Sequence, residues 1–255
     1  LKLIRWPNLL IIALVQYLLR FSIIEALNIP HALNHFYYAL GVLCSISLAA
    51  AGFIINDIYD QANDLINKPK RVTIGKHLSE SLAWNSYFAL TVIAIVSGYI
   101  LANHVELDGL WMIPVLATLL LYLYALNLKK RPVLGNLIVA LLTALPVFLV
   151  AIFDVLPAAN PENAALIKQV FRVIVGYSGF AFWLTLIREI VKDAEDITGD
   201  AQQGFKTLAI LLGRENIKWV IAALSLVLLA FTLWFNSSLY PGDLISSTYM
   251  ALFVN

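Results

Sequence analysis

The sequence predicts an all-α membrane protein, a helical bundle that crosses the bilayer many times. Apolar and aromatic residues fill 61% of the 255 positions and charged residues only 13%, whereas a soluble domain carries about 25% charge. Apolar runs long enough to cross ~30 Å of hydrocarbon as a helix of about 20 residues recur along the chain. Period-two alternation, the mark of a membrane barrel, is missing from these runs.

The runs cover approximately 9–27, 36–56, 82–102, 110–128, 133–153, 170–190 and 216–235, and an eighth begins near Leu244. Lys2 and Arg5 precede the first, as in a signal peptide, but no small-residue cleavage site follows, so it is expected to be a span. Polar connectors fall at 28–34, 60–81, 103–108, 129–131, 154–169, 192–215 and 236–243. The chain opens on Leu and residue 255 interrupts the eighth run, so both ends look trimmed and eight spans are expected to be a minimum.

A net charge of +1 provides no basic field for nucleic acid. Cys44, the single cysteine, lies in an apolar run and builds no disulfide framework. Taking connectors alternately, 14 of the 17 basic residues fall on one side, the exceptions being Arg20, Lys168 and Arg172. The positive-inside rule makes that side cytoplasmic, which predicts a multi-pass protein of the cell (inner) membrane. Most of the acids gather there too, so its active-site loops are expected to be cytoplasmic. Arg20 lies within the first span, where a charge is costly, and is expected to snorkel or to meet Glu25. The four histidines lie in connectors without metal-ligand spacing.

Two acidic clusters carry the chemistry. Asp57, Asp60 and Asp64 follow the second run, and Asp193, Asp196 and Asp200 follow the sixth, both spaced i, i+3, i+7. On a helix such positions fall within a wedge of about 60°. Three carboxylates so placed repel one another without a cation, and hard oxygen donors suit Mg²⁺ or Ca²⁺. The two clusters stand 136 residues apart at every position. This predicts one domain, 1–255, built as two four-helix halves, about 1–131 and 132–255, with the clusters opposed as a site for two metal ions. Lys68 and Arg71 follow the first cluster and Lys206 the second. Carboxylate-held metal beside basic side chains suits a diphosphate on a lipid-soluble molecule. The EF-hand and Walker patterns are missing.

With NDIYDQAND and KDAEDITGD after apolar helices, the chain resembles the UbiA superfamily of intramembrane prenyltransferases over essentially its whole length. Asn67, Pro69, Arg71 and Gly75 match the loop pattern after the first motif, although Val72 and Ile74 replace its prolines. YALNLKKRPVLGN is similar to the family's fourth helix and basic turn, with Tyr124, Lys130, Gly135 and Asn136 at matching places, and LIRWPN matches at Arg5 and Asn8. REIVKDAEDITGDAQQGFKTL resembles the digeranylgeranylglyceryl phosphate synthase branch.

The resemblance implies a nine-helix bundle that transfers a geranylgeranyl group from its diphosphate to geranylgeranylglyceryl phosphate with Mg²⁺, as two ions. It implies that Asn56, Asp60, Asp64, Asp193, Asp196 and Asp200 hold the metal, with Asp57 binding or orienting, and that Asn56, Asp60 and Asp196 are catalytic. Lys68, Arg71 and Lys206 are the diphosphate-binding candidates. Tyr124, Lys130, Arg188, Lys192 and Asn8 are the acceptor-binding candidates, and Tyr59, Tyr122 and Tyr124 are candidates to face an allylic cation. Expected partners are the prenyl diphosphate, a lipid-soluble acceptor and membrane lipid. An aromatic-acceptor enzyme of the quinone pathway is the alternative, and a cation transporter a more distant one.

Overall fold

The computed structural model describes residues 3–67, 73–76, 78–202 and 204–239, and the side chains of all of these except 62–67. Its helices are α1 (Trp6–Leu18), α2 (His35–Asn67), α3 (Glu80–His104), α4 (Met112–Leu126), α5 (Leu134–Val150), α6 (Ala164–Glu195), α7 (Ile197–Gln202), α8 (Leu208–Leu212) and α9 (Arg214–Leu239). The helical path continues in π geometry over Leu19–Glu25 after α1 and over Ala151–Val155 after α5.

Seven of these stretches are long and apolar enough to cross a membrane: Trp6–Glu25, His35–Gln61, Glu80–His104, Asp108–Leu126, Leu134–Ala158, Ala164–Glu195 and Arg214–Leu239. The protein is an integral, multi-pass membrane protein. The eighth span expected near Leu244 lies outside the described residues.

Two compact units divide the chain, residues 1–128 with 146–174, and residues 129–145 with 175–255. In the first, Ile54, Ile55 and Ile58 of α2 bury one helix face against Ala83 and Tyr87 of α3 and Ala125 of α4. Ser79 caps α3 by accepting a hydrogen bond from the Leu82 N–H at 3.3 Å, with Glu80 favourably placed in the first turn. In the second unit, Ala140, Leu186, Ile190, Ala209 and Ile217 form the core.

Gly98 is required by a close approach of α3 to α4, because a Cβ there would overlap the Pro114 ring. That ring cannot rotate away. Gly98→Val is therefore expected to destabilise the protein by about 1–3 kcal/mol through overpacking, read as a lowered melting temperature in detergent.

Arg20 does not snorkel. It is 1% exposed, and its guanidinium donates to Glu25 at 2.7 Å, to Asp154 at 2.6 Å and to the Leu33 carbonyl at 2.9 Å. Asp154, which the sequence assigns to a connector, is fully buried in the helical extension of α5 and also accepts from the Leu33 N–H at 2.9 Å. Its charge reads as a helix end, whereas the helix continues because Arg20 supplies a counter-ion.

Candidate active site

The two acidic clusters belong to different units. In the first unit α2 runs on to Asn67, well past the apolar run, with no Gly or Pro after Phe53 to stop it. Phe53, Asn56, Asp57 and Asp60 share one face at i, i+3, i+4, i+7, while the isoleucines of the opposite side enter the core. Asn56 Nδ2 donates to Asp60 Oδ2 at 2.8 Å. The carboxylate acceptor fixes which way the amide points, and it leaves Asn56 Oδ1 buried without a partner among the described residues. Such an orphaned acceptor costs about 1–3 kcal/mol and is relieved by a cation or by water held on one.

Arg5 approaches the same face. Its Nη2 donates to Asp57 Oδ1 at 2.9 Å, and its guanidinium carbon lies 4.9 Å from the Phe53 ring centroid. Arg5 has φ 49°, a left-handed conformation that costs a non-glycine residue about 1–3 kcal/mol. The Asn8 N–H donates to its carbonyl at 2.8 Å, while the Asn8 side chain is exposed. Tyr59 Oη donates to Tyr122 Oη at 3.1 Å, and the Tyr59 ring meets Trp84 edge-on at 6.2 Å. Tyr124 is half-buried near the end of α4. Asp64 lies on α2, but its side chain is outside the described residues, as are Lys68 and Arg71 entirely.

In the second unit, Leu186 and Ile190 anchor α6 in the core, and Asp193 follows one turn beyond Ile190. The expected single wedge is interrupted. Helix α6 ends at Glu195, Asp196 forms a bend, and α7 carries Asp200. Aspartate favours helix caps over interiors, and the backbone still links Asp200 N–H to the Asp196 carbonyl at 3.0 Å.

Asn136, buried in the first turn of α5, donates from Nδ2 to Asp193 Oδ2 at 2.9 Å. Sequence reasoning noted Asn136 only as a matching position. An amide within an otherwise apolar run was the available signal. The turn before it is strained, since Val133 is β-branched yet has φ 64°.

Lys192 pairs with Glu189 at 3.2 Å, as helical spacing allows, and exposed Arg188 lies 3.8 Å from the same carboxylate. Lys130 Nζ stands 5.8 Å from the Phe205 ring centroid, and its carbonyl accepts from the Lys206 N–H at 3.1 Å. Lys206 itself is exposed.

Among the described residues, no three His, Cys, Asp or Glu side chains converge into a ready-made metal cage. Mg²⁺ usually binds through one or two carboxylates, retained waters and substrate phosphate oxygens rather than through such a cage. The orphaned Asn56 Oδ1 beside Asp60 fits that mode in the first unit.

The profile of the UbiA prenyltransferase family matches residues 7–254. The chain belongs to this family. Among its relatives are digeranylgeranylglyceryl phosphate synthases from Sulfurisphaera tokodaii, 36% identical over 72% of this chain and 60% of that protein, and from Methanobrevibacter smithii, 32% identical over 88% and 72%. The Saccharolobus solfataricus synthase is 40% identical over 71% of this chain and 58% of that protein. The match with the first and last of these spans about three-fifths of their length. A solved structure of a UbiA homologue from Aeropyrum pernix shares the fold with a TM-score of 0.67 at 19% identity, over 98% of this chain and 84% of that one. A solved digeranylgeranylglyceryl phosphate synthase gives a TM-score of 0.65 at 24% identity, over 94% and 77%.

Proposed function

We propose that this protein transfers a geranylgeranyl group from geranylgeranyl diphosphate to the free hydroxyl of geranylgeranylglyceryl phosphate, making an ether-lipid precursor. The observation that carries the reaction class is the α2 face that presents Asn56, Asp57 and Asp60 together, with Asn56 Oδ1 lacking a donor among the described residues. The names of the relatives matched over most of this chain favour the acceptor. The single domain of two four-helix halves, 1–255, is retained as part of this reading.

Asn56, Asp57, Asp60, Asp64, Asp193, Asp196 and Asp200 are the proposed metal-holding residues, and two Mg²⁺ ions are the proposed cofactors. When bound, Mg²⁺ neutralises charge that grows on the departing diphosphate. The chain's own residues do the rest. Asn56 and Asp60 hold each other's orientation, and Asn136 holds Asp193, so donors are set before the substrate arrives. Lys68, Arg71 and Lys206 add positive charge for the diphosphate. Breaking the allylic C–O bond releases diphosphate, and the glycerol oxygen forms the new C–O bond as its proton passes to the released diphosphate. Apolar helices keep water from the cation, and Tyr59 and Tyr122 offer ring faces to it. Arg188 and Lys192, with Lys130, Tyr124 and Asn8, are the acceptor-side candidates. The basic-residue distribution favours a cell-membrane location with this chemistry on the cytoplasmic side.

Membranes containing the full-length protein, given labelled geranylgeranyl diphosphate and Mg²⁺, are expected to label geranylgeranylglyceryl phosphate and not 4-hydroxybenzoate. Labelling of the aromatic alone moves the protein to the quinone branch. Labelling of neither overturns prenyl transfer. Asn136→Ala is expected to raise the Mg²⁺ concentration for half-maximal turnover about 10-fold or more, the usual scale for losing a group that orients a metal ligand, with Asn136→Ser recovering part.

A further inference from the structure

Glu189 is a buried carboxylate that the proposed transfer chemistry does not use. It is 7% exposed and lies on α6 between the core residues Leu186 and Ile190, one turn before Asp193. A buried charge is costly unless it is paired and hydrogen-bonded. Lys192 Nζ donates to its Oε2 at 3.2 Å, and Arg188 Nη2 stands 3.8 Å from its Oε1, so each oxygen faces a different cation. Both cations reach outward, with side chains 73% exposed at Arg188 and 53% at Lys192, and ion pairs with exposed partners add little stability. An apolar side chain at 189, continuous with Leu186 and Ile190, would stabilise α6 at least as well. Stability therefore does not account for the carboxylate.

Successive residues point about 100° apart on a helix, so Arg188 and Glu189 do not face one another by spacing alone, and the arginine chain must bend toward the oxygen it approaches. The Arg188 guanidinium makes no hydrogen bond among the described residues, and Lys192 uses one of its three donors. We infer that Glu189 is a positioning residue that holds Arg188 and Lys192 as a two-cation clamp for the phosphate monoester of the lipid acceptor, a role that rests on geranylgeranylglyceryl phosphate being that acceptor. A phosphate monoester carries about −1.5 to −2 charge at pH 7, which suits a planar guanidinium fork and a compact ammonium together. Along the helix axis both cations lie within about 8 Å of Asp193. A glycerol backbone keeps its hydroxyl and phosphate only a few bonds apart, so holding the phosphate here brings the hydroxyl to the edge of the proposed metal site.

In Glu189→Gln one oxygen becomes an NH₂ donor, so the side chain still accepts from one cation but repels the other. In the full-length protein in lipid vesicles, Glu189→Gln is expected to raise KM for geranylgeranylglyceryl phosphate about 10-fold, the scale of losing one hydrogen bond to a charged group. KM for geranylgeranyl diphosphate and the melting temperature are expected to stay at their wild-type values. Glu189→Asp, which keeps the charge, is expected to recover part of the loss. Arg188→Ala, at an exposed side chain outside the core, is expected to give the same rise for the acceptor alone. An unchanged acceptor KM in either Glu189→Gln or Arg188→Ala, an equal rise in both KM values, or a fall in kcat alone overturns the clamp. A wild-type protein that does not prenylate geranylgeranylglyceryl phosphate overturns the proposed function itself, and the clamp with it.

Discussion

Asp60→Ala is expected to lower prenyl transfer at least about 10²–10³-fold, the scale for removing one group that stabilises developing charge. Two losses combine in this variant. The carboxylate itself disappears, and Asn56 Nδ2 loses the acceptor that sets the amide's direction. Asp196→Ala is expected to lower transfer on a similar scale. Single-turnover assays with labelled geranylgeranyl diphosphate measure the effect. The melting temperature should change little, since the variant removes one of several neighbouring carboxylates from the edge of the core. Unchanged turnover in Asp60→Ala would remove this face from the proposed site.

Arg20→Leu is expected to have the largest effect on stability, about 3–5 kcal/mol, because it leaves Asp154 charged and buried without its counter-ion. Asp154→Ala should cost less, since Arg20 keeps Glu25 at 2.7 Å and the Leu33 carbonyl. Arg20→Leu with Asp154→Leu is expected to recover much of the loss, as apolar replacements of a buried pair commonly do. The remaining deficit should come from the Leu33 N–H and carbonyl, both of which lose partners. Thermal unfolding in a single detergent ranks the three variants. A double variant no more stable than Arg20→Leu would contradict the account.

The spans were legible in the sequence because hydrocarbon thickness fixes their length, and α3 at Glu80–His104 begins and ends within two residues of the apolar run 82–102. Helix ends beyond the apolar runs were not. α2 continues to Asn67 through acidic residues that hydropathy counts as connector, since helix formation depends on backbone compatibility and not on polarity. Aspartate spacing placed Asp57 and Asp60 on one face correctly, but it gave no warning of the bend at Asp196. Arg5 reaching Asp57 and Asn136 reaching Asp193 link residues 52 and 57 positions apart. Such pairings come from tertiary packing, which a local pattern does not encode. Arg20 was flagged by its cost in lipid, yet its main partner was hidden 134 residues away under the label of a loop.

That separation has a consequence for biogenesis. When α1 enters the bilayer during synthesis, Glu25, five residues on, is the nearby carboxylate for Arg20. A lone arginine at the centre of a span opposes insertion by about 2.5–3.5 kcal/mol, and by less at Arg20, five residues from the end of the Trp6–Glu25 span. Asp154 emerges 134 residues later, roughly 7–27 s at about 5–20 residues per second. For that interval α1 is held by half of its final charge network, and the arrival of α5 completes it. The Arg20–Asp154 pair thus works as a late latch, fastening an early helix only after most of the bundle has been made.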